Sequence, residues 1–207
     1  MPRRPVLLFA GACIALAAAI AIAAIVVTAG REAPDATNAV TSTGQPAVGG
    51  PFQLVNQNGD AVDQTLLNDK WSLVFFGFTH CPDYCPATLG MLSATMEQLG
   101  DRAQDMQIVF ISVDPERDTP QLLNDYLSSD GFPQGVVGLT GTPEQVAQAA
   151  KSYRAFYEKA GQGEAYTMNH SLTIYLMGPD GQFRSALAHD LEPDRAADVI
   201  RRAMERG

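Results

Sequence analysis

Trp71-Ser72-Leu73-Val74-Phe75-Phe76-Gly77-Phe78-Thr79-His80-Cys81-Pro82-Asp83-Tyr84-Cys85-Pro86 joins two signals that decide the fold. Trp71 to Phe76 is a dense apolar run, short enough for a central strand. Thr88 to Leu99 then places Leu89, Leu92, Met96 and Leu99 at helical spacing. Two cysteines stand at the junction, four residues apart, with Pro86 suited to the first turn of the helix that follows.

The same alternation continues downstream. Gln107 to Val113 reads as a buried strand, and Thr119-Pro120 as a helix start, with a hydroxyl at the cap and proline in the first turn. Val136 to Leu139 is a short strand. Thr142-Pro143-Glu144 repeats the start signal before Val146, Ala149, Ala150, Tyr153 and Phe156. Ser171 to Met177 reads as a strand, Pro179-Asp180-Gly181 as a turn and Phe183 to Leu187 as an antiparallel return. A last helix begins near Pro193. Upstream, Phe52, Leu54 and Val55 give a short strand, and Asn58-Gly59 a turn toward a second around Val62. This order predicts an α/β domain built on one mixed sheet covered on both faces.

The N-terminal quarter is organised differently. Val6 to Ala29 is almost wholly apolar, and its 24 residues would make a helix of about 36 Å. That exceeds the roughly 30 Å hydrocarbon core of a bilayer. Arg3 and Arg4 precede it, which predicts a cytoplasmic basic tail at residues 1–5 and a transmembrane anchor at 6–29. A cleaved signal peptide is the competing reading, though its apolar core is usually shorter. Cys13 falls inside this segment. Residues 30–50, rich in Ala, Thr, Ser, Gly and Pro, read as a flexible linker. The globular domain is expected over 51–207, on the non-cytoplasmic, periplasmic side.

Residues 1–50 carry a net +1 and the whole chain −9, so the remainder carries −10. Without a basic patch, this domain is not built for nucleic acid.

Cys81 and Cys85 are the only cysteines of the expected domain. At a helix start, unpaired N–H groups and the helix dipole favour thiolate. Two thiolates a few ångströms apart suit Cu(I), which is soft and accepts low coordination. The same pair is able to close as a disulfide outside the cytoplasm. A purely structural bridge is the plain alternative, but such bridges usually close longer loops. His170, set just ahead of the strand Ser171–Met177, is placed to offer a third, imidazole ligand. His80 points elsewhere if its backbone is extended, and His189 reads as a solvated loop residue. Asp114, after a buried strand, is a candidate to tune charge near the thiolates, bond a ligand or help dock a partner. Glu116, Arg117 and Asp118 read as a local ion network. Met91, Met96, Met106, Met168 and Met177 are scattered and read as mostly core.

Gly77 to Pro86, Ser112-Val113-Asp114-Pro115-Glu116-Arg117-Asp118-Thr119-Pro120 and Asn169-His170-Ser171 together resemble the Sco/SenC family, in its order and over about Gly49 to Arg206. The resemblance implies a thioredoxin-like fold on one membrane anchor. It implies copper, Cu(I) or Cu(II), bound by Cys81, Cys85 and His170, with Asp114 auxiliary. It also implies work as a metallochaperone assisting assembly of the binuclear copper centre of cytochrome c oxidase. The partners implied are the oxidase's copper-bearing subunit and another copper chaperone or thiol reductase. The alternative function is a thiol–disulfide reductase, with Cys81 and Cys85 as the redox pair keeping the oxidase's own cysteines reduced. Peroxiredoxin-like chemistry would need activating donors around one cysteine that the sequence does not display. Copper sensing or resistance is a further alternative. Asn169 stands where the family often has Asp.

Overall fold

The computed structural model describes residues 48–207; the expected tail, anchor and most of the linker lie outside the described residues. Among the described residues, nine strands and four α-helices follow one another: β1 Gln53–Asn56, β2 Ala61–Asp63, β3 Trp71–Gly77, α1 Tyr84–Leu99, β4 Met106–Ser112, α2 Pro120–Leu127, β5 Val137–Thr140, α3 Pro143–Tyr153, β6 Tyr157–Ala160, β7 Thr167–His170, β8 Thr173–Met177, β9 Phe183–Ala188 and α4 Pro193–Arg206.

Seven strands form one mixed sheet in the order β2-β1-β5-β4-β3-β8-β9. The three strands that alternate with helices run parallel, β3 beside β4 and β4 beside β5, because each crossover returns the chain to the same end. Hairpin connections make β1–β2 and β8–β9 antiparallel, and β3–β8 and β1–β5 are antiparallel as well. All seven residues of β3 are buried, which is why it reads as a continuous apolar run rather than an alternating one. Helices flank the sheet: α1 packs on α4, α2 on β5 and α3 on β1. This is the mixed-sheet α/β architecture that the order of elements predicts, in the thioredoxin-like form that the family resemblance implies.

Local signals behave as their chemistry requires. Thr119 accepts from the Leu122 N–H at 3.2 Å, and Thr142 forms a full capping box with Gln145. The Asn56 side chain accepts from the N–H groups of Asn58 and Asp60, closing the β1–β2 turn around Gly59, whose φ is +90°. Val48 packs against the core, and the Gly49 N–H donates to the Ser152 carbonyl at 3.0 Å.

Two expectations need correction. The apolar face assigned to the third helix does not extend to Phe156: α3 stops at Tyr153, where Arg154 takes the left-handed conformation, and Phe156 is exposed. The chain then forms a two-stranded ribbon, β6 with β7, that the sequence reading lacks. His170 is therefore the last residue of β7, paired with Tyr157, rather than the residue at a loop-to-strand junction. These strands hide because each has four residues and neither carries a strong apolar alternation.

Candidate metal centre

The centre is assembled from three places. β3 delivers the chain at Gly77 and Phe78, where the Cys81 N–H turns back onto the Phe78 carbonyl at 3.2 Å. Cys81 lies in this turn just ahead of α1, and Cys85 is the second residue of α1. The pair is thus not one helical turn, as the spacing alone suggests, but a loop residue and a helix residue joined by the helix end. The Cys85 N–H, one of the unpaired donors of the first turn, points at Cys81 Sγ at 3.4 Å. Both cysteines are buried and unbridged. Gly77 makes this closeness possible: a Cβ there would stand 2.7 Å from Cys85 Sγ and 2.8 Å from the Phe110 ring.

His170 arrives from the ribbon. Its Nε2 lies 3.9 Å from Cys85 Sγ, and one donor atom each from Cys81, Cys85 and His170 fall within 4.8 Å of one another. The other ring nitrogen, Nδ1, is 2.9 Å from the Ser171 carbonyl. A carbonyl only accepts, so Nδ1 carries the proton and Nε2 presents its lone pair to the sulfurs. The ring is held edge-on by Phe78 at 5.7 Å between centroids. A cavity of about 280 Å³ opens over Cys81 and His170.

The two thiols are electrostatically unequal. A hydrogen bond from Cys85, opposed by burial and helped by helix-start N–H groups, holds Cys81 far below the usual thiol range. Cys85 is pushed well above it by that same bond to Cys81, by burial and by the Cys81 charge, with Asp118 adding to the repulsion. The metal-free pair is accordingly one thiolate and one thiol. Two sulfurs and one imidazole with a free lone pair fit a soft, low-coordinate ion.

The other candidates sort differently. His80 is half-exposed, with Nδ1 at 3.0 Å from Thr79 Oγ1, and stays outside the ligand group. His189 is not a solvated loop residue: it packs edge-on against Tyr84 at 5.4 Å and is only partly exposed. Met106, Met168 and Met177 are buried, whereas Met91 and Met96 are partly covered.

Asp114 lies outside the ligand group. Its carboxylate accepts from Tyr166 Oη at 2.6 Å and pairs with Arg117. Arg117 also reaches the Tyr166 carbonyl at 3.1 Å, and Arg117 and Lys159 cover the Tyr166 ring at 3.7 and 3.8 Å from its centroid. Lys159 is paired in turn with Glu116. The Asp114–Arg117 loop therefore clamps the ribbon that carries His170. Tyr166 and Lys159 escape sequence reasoning, since nothing along the chain announces a partner some fifty residues away. The ion network foreseen for this loop exists, but Asp118 is not in it. That carboxylate is fully buried and accepts from Thr79 Oγ1 at 2.6 Å, the Thr79 N–H at 3.1 Å and Ser112 Oγ at 2.6 Å. Burial lifts the Asp118 carboxyl above its ordinary value while these donors pull it back.

Fold and site together define a thioredoxin-like domain with a two-sulfur, one-imidazole ligand set at the carboxyl end of its central strand. The sequence model of the SCO1/SenC family matches residues 40–205, and the chain belongs to that family. It is 40% identical over 161 residues to the mitochondrial SCO1 homolog 1 of Arabidopsis thaliana, covering 77% of this chain and 48% of that one. The chain spans about half the length of the curated relatives it matches first. Among solved structures, Arabidopsis thaliana ScoI with copper bound is 37% identical with a TM-score of 0.73, covering 78% of this chain and 100% of that one. Bradyrhizobium japonicum ScoI with copper bound is 44% identical with a TM-score of 0.68, covering 75% and 99%.

Proposed function

We propose that this protein is a copper metallochaperone that assists assembly of the binuclear copper centre of cytochrome c oxidase, with copper as its cargo on Cys81, Cys85 and His170. The observation that carries this reading is the convergence of His170 Nε2, in the lone-pair tautomer, on the two unbridged sulfurs. A dithiol reductase has no need of that imidazole, whereas a copper site is completed by it. Relatives solved with copper bound support the same cargo. The partly open cavity over Cys81 and His170 gives an acceptor's ligands a route to the metal. The implied acceptor is the copper-bearing subunit of the oxidase. The setting we infer is the non-cytoplasmic, periplasmic side, held by an anchor at residues 6–29. That segment lies outside the described residues, among which no helix is long and apolar enough to cross a membrane.

Thiol–disulfide reduction is a second reading, favoured by the inequality of the pair. A thiolate at Cys81 and a protonated, buried Cys85 are the attacking and resolving sulfurs of an exchange reaction. The deciding experiment mixes the copper-loaded chain with the apo copper-bearing domain of the oxidase and follows metal transfer and cysteine oxidation together. Copper transfer to a reduced acceptor supports delivery. Reduction of an acceptor disulfide with no copper moving overturns it in favour of the reductase.

A further inference from the structure

Asp118 is a fully buried carboxylate that the ligand set does not use. Its hydrogen-bond partners suit the ionised form. Ser112 Oγ accepts the Asp114 N–H at 3.0 Å, which leaves its own hydrogen for Asp118 at 2.6 Å. Thr79 contributes its N–H and, at 2.6 Å, its hydroxyl. Three donors converge on two oxygens, an arrangement that satisfies a carboxylate. No strong cation answers this charge: Arg117 is turned to Asp114, and the only basic group within 4.0 Å among the described residues is the half-exposed His80. The carboxylate also spans two loops. It ties the segment after β4 to Thr79, two residues before Cys81 in the turn after β3.

We propose that Asp118 is the positioning and charge-setting residue of this metal centre: it fixes the turn that carries Cys81, and its buried negative charge favours divalent over monovalent copper. The physical reason is Coulombic. A fixed negative charge attracts a doubly charged ion twice as strongly as a singly charged one, and burial leaves that difference weakly screened. The inference rests on the copper reading of Cys81, Cys85 and His170.

The test uses the full chain and its Asp118→Asn variant, with Cu(I) and Cu(II) affinities measured separately by chelator competition. The amide fits the site. With its nitrogen in the Oδ1 place it donates to Thr79 Oγ1, whose hydroxyl then turns to His80 Nδ1 at 3.0 Å, while its oxygen keeps the Ser112 and Thr79 N–H bonds. The Cu(II)-to-Cu(I) affinity ratio is expected to fall about tenfold, which raises the one-electron potential of bound copper by about 59 mV. Thr79→Val keeps the charge but loses the hydroxyl tie, so both affinities should fall together with the ratio unchanged. A merely structural Asp118 would give that pattern in both variants. An unchanged ratio in folded Asp118→Asn, or an equal ratio shift in Thr79→Val, overturns the assignment. Should Asp118→Asn fail to fold, His80→Lys sets a permanent cation beside Asp118 from the surface; it should lower the ratio, and an unchanged ratio overturns the proposal. Wild-type protein that binds neither ion defeats the copper reading itself, whereas binding with no effect of Asp118 defeats only this inference.

Discussion

His170 Nε2 stands 3.9 Å from Cys85 Sγ although 85 residues of chain separate them. The contact joins the ribbon β6–β7 to the start of α1, so the ligand set depends on how two separately built pieces are held. Ligand substitutions should consequently divide by oxidation state. Cys81→Ser or Cys85→Ser should lower Cu(I) affinity more than about a hundredfold, because a hard hydroxyl replaces a soft thiolate. His170→Ala should weaken Cu(II) more than Cu(I), since Cu(I) persists on two sulfurs. Chelator competition on the three variants checks this, and full Cu(II) affinity in His170→Ala would remove the histidine from the site.

The unequal thiols predict a pH dependence with a definite sign. Cys81 is depressed and so already ionised near neutrality, while Cys85 is raised and keeps its proton. Cu(I) binding must then expel one proton, from Cys85, and affinity should rise about tenfold per pH unit through neutrality. In the metal-free chain at about pH 6, where an ordinary thiol is protonated, iodoacetamide should label Cys81 and spare Cys85. Peptide mapping by mass spectrometry reads this directly; preferential labelling of Cys85 would reverse the assignment.

Gly77→Ala tests the packing beneath the pair. The added methyl would meet Cys85 Sγ at 2.7 Å and the Phe110 ring at 2.8 Å, both of them buried. Overpacking of this kind costs about 1–3 kcal/mol. Chemical denaturation should show that loss together with weaker copper binding, and a variant as stable as the parent would refute the tight fit.

Tyr166 tests the clamp on the ribbon. Tyr166→Phe removes a donor from buried Asp114 and should cost about 1–3 kcal/mol. Tyr166→Leu also removes the ring beneath Arg117 and Lys159, so the ribbon should loosen and His170 should contribute less. The expected outcome is a larger loss for Cu(II) than for Cu(I), mimicking His170→Ala, with equal losses counting against the clamp.

The proposed anchor predicts an intact N-terminal segment in protein extracted from membranes. Intact-mass measurement should include residues 6–29, and a mature chain starting near Gly30 would replace the anchor with a cleaved leader.

The sequence by itself determined the sheet's central strands, the capped helices and the cysteine pair at a strand-to-helix junction. These follow from short-range chemistry: an apolar run buried on both faces, hydroxyl–proline caps and residues four apart are all written within a dozen positions. Its place ahead of a strand made His170 a candidate ligand and the family resemblance singled it out, because an isolated histidine carries no local mark of what it will face. Only the tertiary structure decided the rest. The ribbon β6–β7, too short and polar to show a period, carries His170 to the sulfurs. Tyr166 takes its place between two cations, and Asp114 and Asp118, four residues apart in one loop, are separated into a clamp for the ribbon and a buried charge tied to Thr79. Such roles depend on which groups meet after folding, where burial removes water and leaves each carboxylate to be defined by its remaining partners.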